Sequence, residues 1–175
     1  MRKNSTEFLK ECMADAIIEL LNEKPLEKIS VNEISKRSGV GRATWFRHFS
    51  TKTEAITYKL ILLWYRYCIN HGITEEQRLT VDNALDFFNF SLENKELYNL
   101  LYKNGLQTLI YDAFYQVITH QHRATPVEYY KSRFLSYGVY GIVDEWVKRD
   151  YAESPEEIAS IIHTTVFTEQ KTKQQ

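Results

Sequence analysis

The stretch that decides the fold reads Ile29-Ser30-Val31-Asn32-Glu33-Ile34-Ser35-Lys36-Arg37-Ser38-Gly39-Val40-Gly41-Arg42-Ala43-Thr44-Trp45-Phe46-Arg47-His48-Phe49. Ser30 and Glu33 stand at capping-box spacing: the serine oxygen can accept the Glu33 N–H while the Glu33 carboxylate reaches back to the cap. That predicts a short helix anchored inward by Val31 and Ile34, with Gly39 as the left-handed residue that ends it. A second short helical segment then runs from Val40 to Phe49. Two short helices across a glycine turn make a helix-turn-helix, whose second helix can enter a DNA major groove.

The side chains suit that task. Val40 can plug the angle between the helices, and Trp45 and Phe49 read as core. The second helix is expected to expose Arg42, Ala43, Thr44, Arg47 and His48. Arginine pairs with guanine O6/N7, a threonine methyl can touch thymine, and a small alanine permits close approach. Gly41 and the amides after it open a helix, where phosphate is favoured, and Lys52 is similarly placed on the next one. Helix-glycine-helix corners also occur in proteins that never meet DNA, and a basic run is also simply a solvated face.

Working outward, Phe8, Cys12, Ala16, Ile17, Leu20 and Leu21 recur at helical spacing over residues 5–22, an amphipathic helix that stops at Lys24-Pro25. Thr51-Lys52-Thr53-Glu54 is a second capping box and opens a long helix to about His71, before Gly72. Further helices are predicted over about 81–92, from an Asn94 cap to near Gly105, and over about 106–121. Thr125-Pro126-Val127-Glu128 opens a long helix to about Arg149, and Ser154-Pro155-Glu156-Glu157 opens the last, to about Thr168. The expected fold is all-α with about nine helices: a three-helix helix-turn-helix domain at 1–52 and a helical regulatory and dimerisation domain at 53–175.

Composition agrees. Six glycines and three prolines in 175 residues are too few for an all-β sandwich, which turns every ~8–12 residues. The net charge of −1 hides an asymmetry: residues 1–52 carry 10 Lys/Arg against 7 Asp/Glu, and the remainder 12 against 16. No acid falls between Glu33 and Glu54, whereas Lys36, Arg37, Arg42, Arg47 and Lys52 all do. Cys12 and Cys68 form neither a disulfide framework nor a zinc pattern. The N-terminus leads into no apolar signal segment, and the most apolar run, 56–69, is broken by Lys59 and Arg66 and shorter than the ~20 residues of a bilayer crossing. A cytoplasmic protein without membrane contact is expected.

Residues Ile29 to Val40, then Thr44-Trp45-Phe46-Arg47-His48-Phe49 and Lys52, resemble the N-terminal domain of TetR-family transcriptional regulators, over roughly 8–56. The resemblance implies double-stranded operator DNA as partner. It implies that Lys36 and Arg37 flank the turn and that Arg42, Ala43 and Thr44 face bases or phosphates. Phe46, Arg47 and His48 would pack against or reach the DNA backbone, and Lys52 would bind a phosphate. Two positions depart from the family pattern. Gly41 stands where Ser or Thr is frequent, and Phe46 where Tyr is common, which removes a phosphate-binding hydroxyl and leaves a ring for a thymine methyl or a sugar.

Tyr137-Gly138, Gly141-Ile142, Trp146 and Ser154-Pro155-Glu156-Glu157 resemble the C-terminal domain of a short subgroup similar to regulators of dihydroxyacetone kinase operons. This implies a homodimer in which the last two long helices form a four-helix bundle. Its candidate interface is Phe134, Tyr137, Gly138, Gly141, Ile142, Trp146, Ile158, Ile161 and Ile162. Aromatic residues at Trp64, Tyr67, Phe87, Phe88, Tyr98, Tyr102, Tyr111 and Phe114 are candidates for an effector pocket, though an aromatic stripe at helical spacing also serves as plain core. His120 and His122, two apart on a helix, point to different faces and make no metal site, so neither metal nor cofactor is expected. No phosphate loop, Gly-x-Ser-x-Gly elbow or His-Glu-x-x-His motif supports an enzyme.

The leading expectation is a homodimeric regulator on a palindromic operator, a repressor relieved by a small-molecule effector or protein co-regulator. The alternative is an all-α dimeric interaction module, or a transcriptional activator acting through a protein partner without a small effector.

Overall fold

The computed structural model describes residues 5–75, 84–120 and 125–167. Among them the regular elements are all helical: α1 (Ser5–Leu21), a 3-10 turn (Leu26–Lys28), α2 (Val31–Ser38), α3 (Arg42–His48), α4 (Lys52–Asn70), α5 (Ala84–Glu93), α6 (Lys95–Lys103), α7 (Thr108–His120), α8 (Pro126–Lys148) and α9 (Pro155–Phe167). The expected beginning of the fifth helix at 81–83, His122 and the end at Thr168 lie outside the described residues.

Local capping chemistry sets the starts of α2, α4, α8 and α9. Thr125 Oγ1 accepts from the Glu128 N–H at 3.4 Å, the Glu128 carboxylate accepts from Thr125 N at 2.5 Å, and Pro126 takes the first helical position. Ser154 and Glu157 repeat the exchange at 3.2 and 2.7 Å. At α4 the box is displaced: Thr51 Oγ1 accepts from Glu54 N at 3.0 Å, but Glu54 accepts from Ser50 N, one residue upstream. Asn94 is not the cap it was expected to be. Its side-chain amide donates to the Phe90 carbonyl at 2.8 Å and so closes α5 rather than opening α6. The reason is its near-helical backbone (φ −104°, ψ 19°), which keeps its side chain on the preceding turn. Gly72 and Gly105, at φ +68°, stop α4 and α6 as left-handed residues.

Helix α1 packs against α2, α3 and α4; α4 packs against α7, α7 against α8, and α5 against α9. One buried apolar cluster runs from Met13 and Ile17 through Ile34, Trp45, Phe49 and Ile56 to Leu101, Val143, Trp146, Ile158 and Ile162. Helix α4 is therefore a shared wall between the helix-turn-helix and the later helices. An ionic clamp fastens α1 to it: buried Glu11 accepts from Lys59 Nζ at 3.0 Å and from both terminal guanidinium nitrogens of Arg66, Nη2 at 2.6 Å. Lys59 also pairs with Asp15 at 2.6 Å. Cys12 and Cys68 are free thiols. No helix among the described residues is long and apolar enough to cross a membrane.

Candidate nucleic-acid interface

Helix α3 is held by its neighbours. Ser30 Oγ accepts from Glu33 N at 3.3 Å, and the Glu33 carboxylate accepts from Ser30 N at 2.9 Å, completing the box that starts α2. Lys24 also bonds to that carboxylate, and this contact, ahead of the Ser30 bonds, lowers the Glu33 pKa to about 2. Ile34 is fully buried, Gly39 turns the chain at φ +69°, and Val40 is buried in the corner. Helix α3 begins at Gly41, which supplies no side-chain cap. Trp45 and Phe49 lie buried with ring centroids 5.3 Å apart, and Phe49 meets Tyr58 of α4 edge-on at 5.8 Å.

At ~100° per residue, the buried Trp45 fixes which side of α3 faces out. Arg42, Ala43, Phe46 and Arg47 share the exposed face, with Phe46 near its centre and 64% exposed. Thr44 and His48 turn to the flank and are half-buried. This corrects the expected exposed set, in which Thr44 and His48 stood with the arginines. The cause is the indole of Trp45, which draws its side of the short helix inward.

The basic residues divide. Arg42, Arg47 and Lys36 form no ion pair among the described residues, and Lys36 is exposed. Arg37 is committed to α1 and the turn that follows it, donating to Glu23 at 2.7 Å and Glu19 at 3.3 Å. Lys52 is half-buried and donates to the backbone carbonyls of Leu26 (2.5 Å) and Ile29 (2.9 Å). An ammonium has three donors, so one remains after it ties the start of α4 to the 3-10 turn. Sequence reading missed this anchoring because the carbonyls of a 3-10 turn 23 and 26 residues away leave no residue-type signal.

The structure does not gather the eight candidate effector-pocket aromatics into one pocket. Trp64, Phe87, Tyr98 and Phe114 border an interior cavity of about 30 Å³. Tyr67 stacks on Trp64 and His71, and Phe88 meets Trp146 edge-on. The Tyr102 hydroxyl donates to Asp144 at 2.8 Å, and burial first, then that carboxylate, pushes its pKa up. The Tyr111 hydroxyl bonds to Arg133. The rings fill the space they were expected to line, because edge-to-face contacts close the gaps between them.

The candidate dimer residues also split. Phe134, Tyr137, Gly138, Gly141 and Ile161 are exposed, and Ile142 is half-buried. Trp146, Ile158 and Ile162 are buried within the chain, with Trp146 Nε1 donating to the Glu153 carbonyl at 2.9 Å. These three belong to the core, which removes them from any surface between copies.

Comparison with known proteins bears on the family and the fold. Residues 14–55 match the family described as bacterial regulatory proteins, tetR family, and residues 81–168 match a transcriptional regulator C-terminal region. The chain is 27% identical over 127 residues to the HTH-type transcriptional regulator SAB2452 of Staphylococcus aureus (strain bovine RF122 / ET3-1). It is 28% identical over 125 residues to the HTH-type transcriptional regulator SACOL2593 of Staphylococcus aureus (strain COL). Each alignment takes in 66% of this chain and spans 65% of the relative's length. Among solved structures, a TetR transcriptional regulator from Rhodococcus sp. RHA1 shares the fold, with a TM-score of 0.53 at 19% identity over 90% of this chain and 93% of that one. The matched families and relatives are transcriptional regulators rather than enzymes.

Proposed function

The chain belongs to the TetR family of bacterial regulatory proteins, and on that premise we propose that it binds a palindromic operator as a homodimer and represses transcription by occluding a promoter. The observation that carries this reading is the outer face of α3. Arg42, Ala43, Phe46 and Arg47 stand clear of the body while Trp45 and Phe49 lock the helix behind them. Arg42 and Arg47 are the free cations for base edges or phosphates, and Lys36 reaches the DNA backbone from α2. Gly41 lets the DNA backbone approach the first amides of α3. Phe46 replaces a hydroxyl contact by packing on a thymine methyl or a sugar. Thr44 and His48 serve from the flank, and Ala43 from the contact face. Lys52 and Arg37 act mainly by positioning, with the last ammonium donor of Lys52 left for a phosphate.

Residues 1–52 form the reading domain in this proposal and 53–175 the regulatory and dimerisation domain. The exposed residues Phe134, Tyr137, Gly138 and Gly141 of α8, with Ile161 of α9, supply the contact between copies. Two copies would set the α3 helices about one DNA turn apart, ~34–36 Å. The motif from Tyr137 to Glu157 supports grouping the chain with regulators similar to those of dihydroxyacetone kinase operons. Operator binding places the protein in the cytoplasm. A protein co-regulator is favoured over a small effector between the inner helices: about 30 Å³ of free space falls far below the ~300–1,000 Å³ of small-molecule sites.

The test is selection of genomic fragments by the purified protein at near-physiological salt, followed by sequencing. An enriched palindrome is the expected result. Retention without a shared sequence, lost at modest salt, would reduce α3 to a basic patch. Arg42→Ala should weaken specific binding more than nonspecific binding, whereas Lys36→Ala should weaken both and lower the salt slope by about one.

A further inference from the structure

We propose that the cleft between α4 and α7, bordered by Lys10 of α1, is a binding site for a small primary amine. The inference does not rest on operator binding. The cleft holds about 370 Å³, within the ~300–1,000 Å³ range of small-molecule sites and far larger than the interior cavity. Register builds its walls. Thr53, Thr57 and Ile61 recur every fourth residue along α4, and Leu109, Asp112 and Gln116 share one face of α7.

The charges choose the ligand. Lys10 is the cation of the lining, and its ammonium is already spent on aromatic rings: it lies 3.9 Å from the Tyr58 centroid and 5.5 Å from that of Phe49. Against it stand the carboxylates of Glu54 and Asp112. Asp112 is half-buried, and its carboxylate has no hydrogen bond or ion pair among the described residues. Glu54 uses one oxygen on Ser50 N and keeps the other. An incoming ammonium can therefore form charge-assisted bonds to Asp112 and Glu54. Thr53 and Thr57 offer hydroxyls, while Ile61 and Leu109 receive an apolar body. Because Phe49 also caps α3, an occupied cleft would touch the reading helix and α7 together.

Tyramine and 4-hydroxyphenylacetate, which share a ring and carry opposite charges, should be titrated calorimetrically into the full chain. Saturable one-to-one binding of tyramine is expected, at least about tenfold tighter than that of the acid. Asp112→Asn should weaken it by about tenfold or more without moving the unfolding midpoint. In the unmodified protein, tyramine should shift the backbone amide resonances of Thr53, Thr57 and Asp112. Equal binding of the two compounds, no saturation by tyramine below about 1 mM, undiminished binding to Asp112→Asn, or shifts confined to other regions would each overturn the proposal.

Discussion

Glu33 shows how much one side chain can hold at the entrance to the helix-turn-helix. Its carboxylate accepts from the Ser30 backbone at 2.9 Å and from the Ser30 hydroxyl at 2.8 Å, and it also receives Lys24. Its pKa falls from 4.5 to about 2, first through Lys24 and then through Ser30. A folded-state pKa below the unfolded one adds stability that is full above the unfolded value and is lost as pH falls through the folded one. Denaturant unfolding should thus show a loss between about pH 5 and pH 2, and Glu33→Gln should flatten that part of the profile. An unchanged slope in Glu33→Gln would place the acid sensitivity elsewhere. Phe46 raises a different question at the same scale, because a 64% exposed ring has no role in the core. Phe46→Ala should leave the unfolding free energy within about 0.5 kcal/mol of the parent while weakening binding to selected DNA. A parallel loss of stability in that variant would make the ring structural.

Among elements, α2, α8 and α9 were legible in the sequence because a capping box involves residues three apart and needs no distant partner. Asn94 was misread for the complementary reason: a cap and a back-bonded amide use the same residue type, and only the near-helical course of the chain separates them. Gly39 is the element boundary with the sharpest consequence. A left-handed φ of +69° costs an L-residue ~1–2 kcal/mol, and a methyl group added at this position would meet no atom within 4 Å. Gly39→Ala should accordingly lower stability by about 1 kcal/mol through strain alone, read from the shift in denaturant midpoint, and should still bind DNA well below its melting temperature. The link from α1 to α4 was invisible in the sequence, since Glu11 meets Lys59 and Arg66 some fifty residues downstream. Arg66 is more than a third exposed, so Glu11→Ala should cost about 2–3 kcal/mol, below the 3–5 of a fully buried pair.

At the scale of the whole molecule, a sequence stripe identifies an apolar face but not what covers it. Trp146, Ile158 and Ile162 were read with Phe134 and Tyr137 as one surface, yet α5 packs on α9 and the first three turn into the chain's own core. Among the residues that remain exposed on α8, Val127, Tyr130, Phe134, Tyr137 and Gly141 are separated by alternating steps of three and four. That spacing makes a narrow seam suited to a second helix, and Tyr130 and Phe134 are 80% and 84% exposed. In the homodimer proposed above, charge placed in the seam should separate copies without unfolding either one. Phe134→Glu should sediment as a monomer, keep its unfolding midpoint at matched low protein concentration, and lose affinity for a two-half-site operator far more than for a single half-site. Trp146→Ala should instead lower stability by about 3–5 kcal/mol, because it empties the core beside Phe88 and Tyr151. A dimeric Phe134→Glu would move the contact off α8, and a monomeric but well-folded Trp146→Ala would return the indole to the interface between copies.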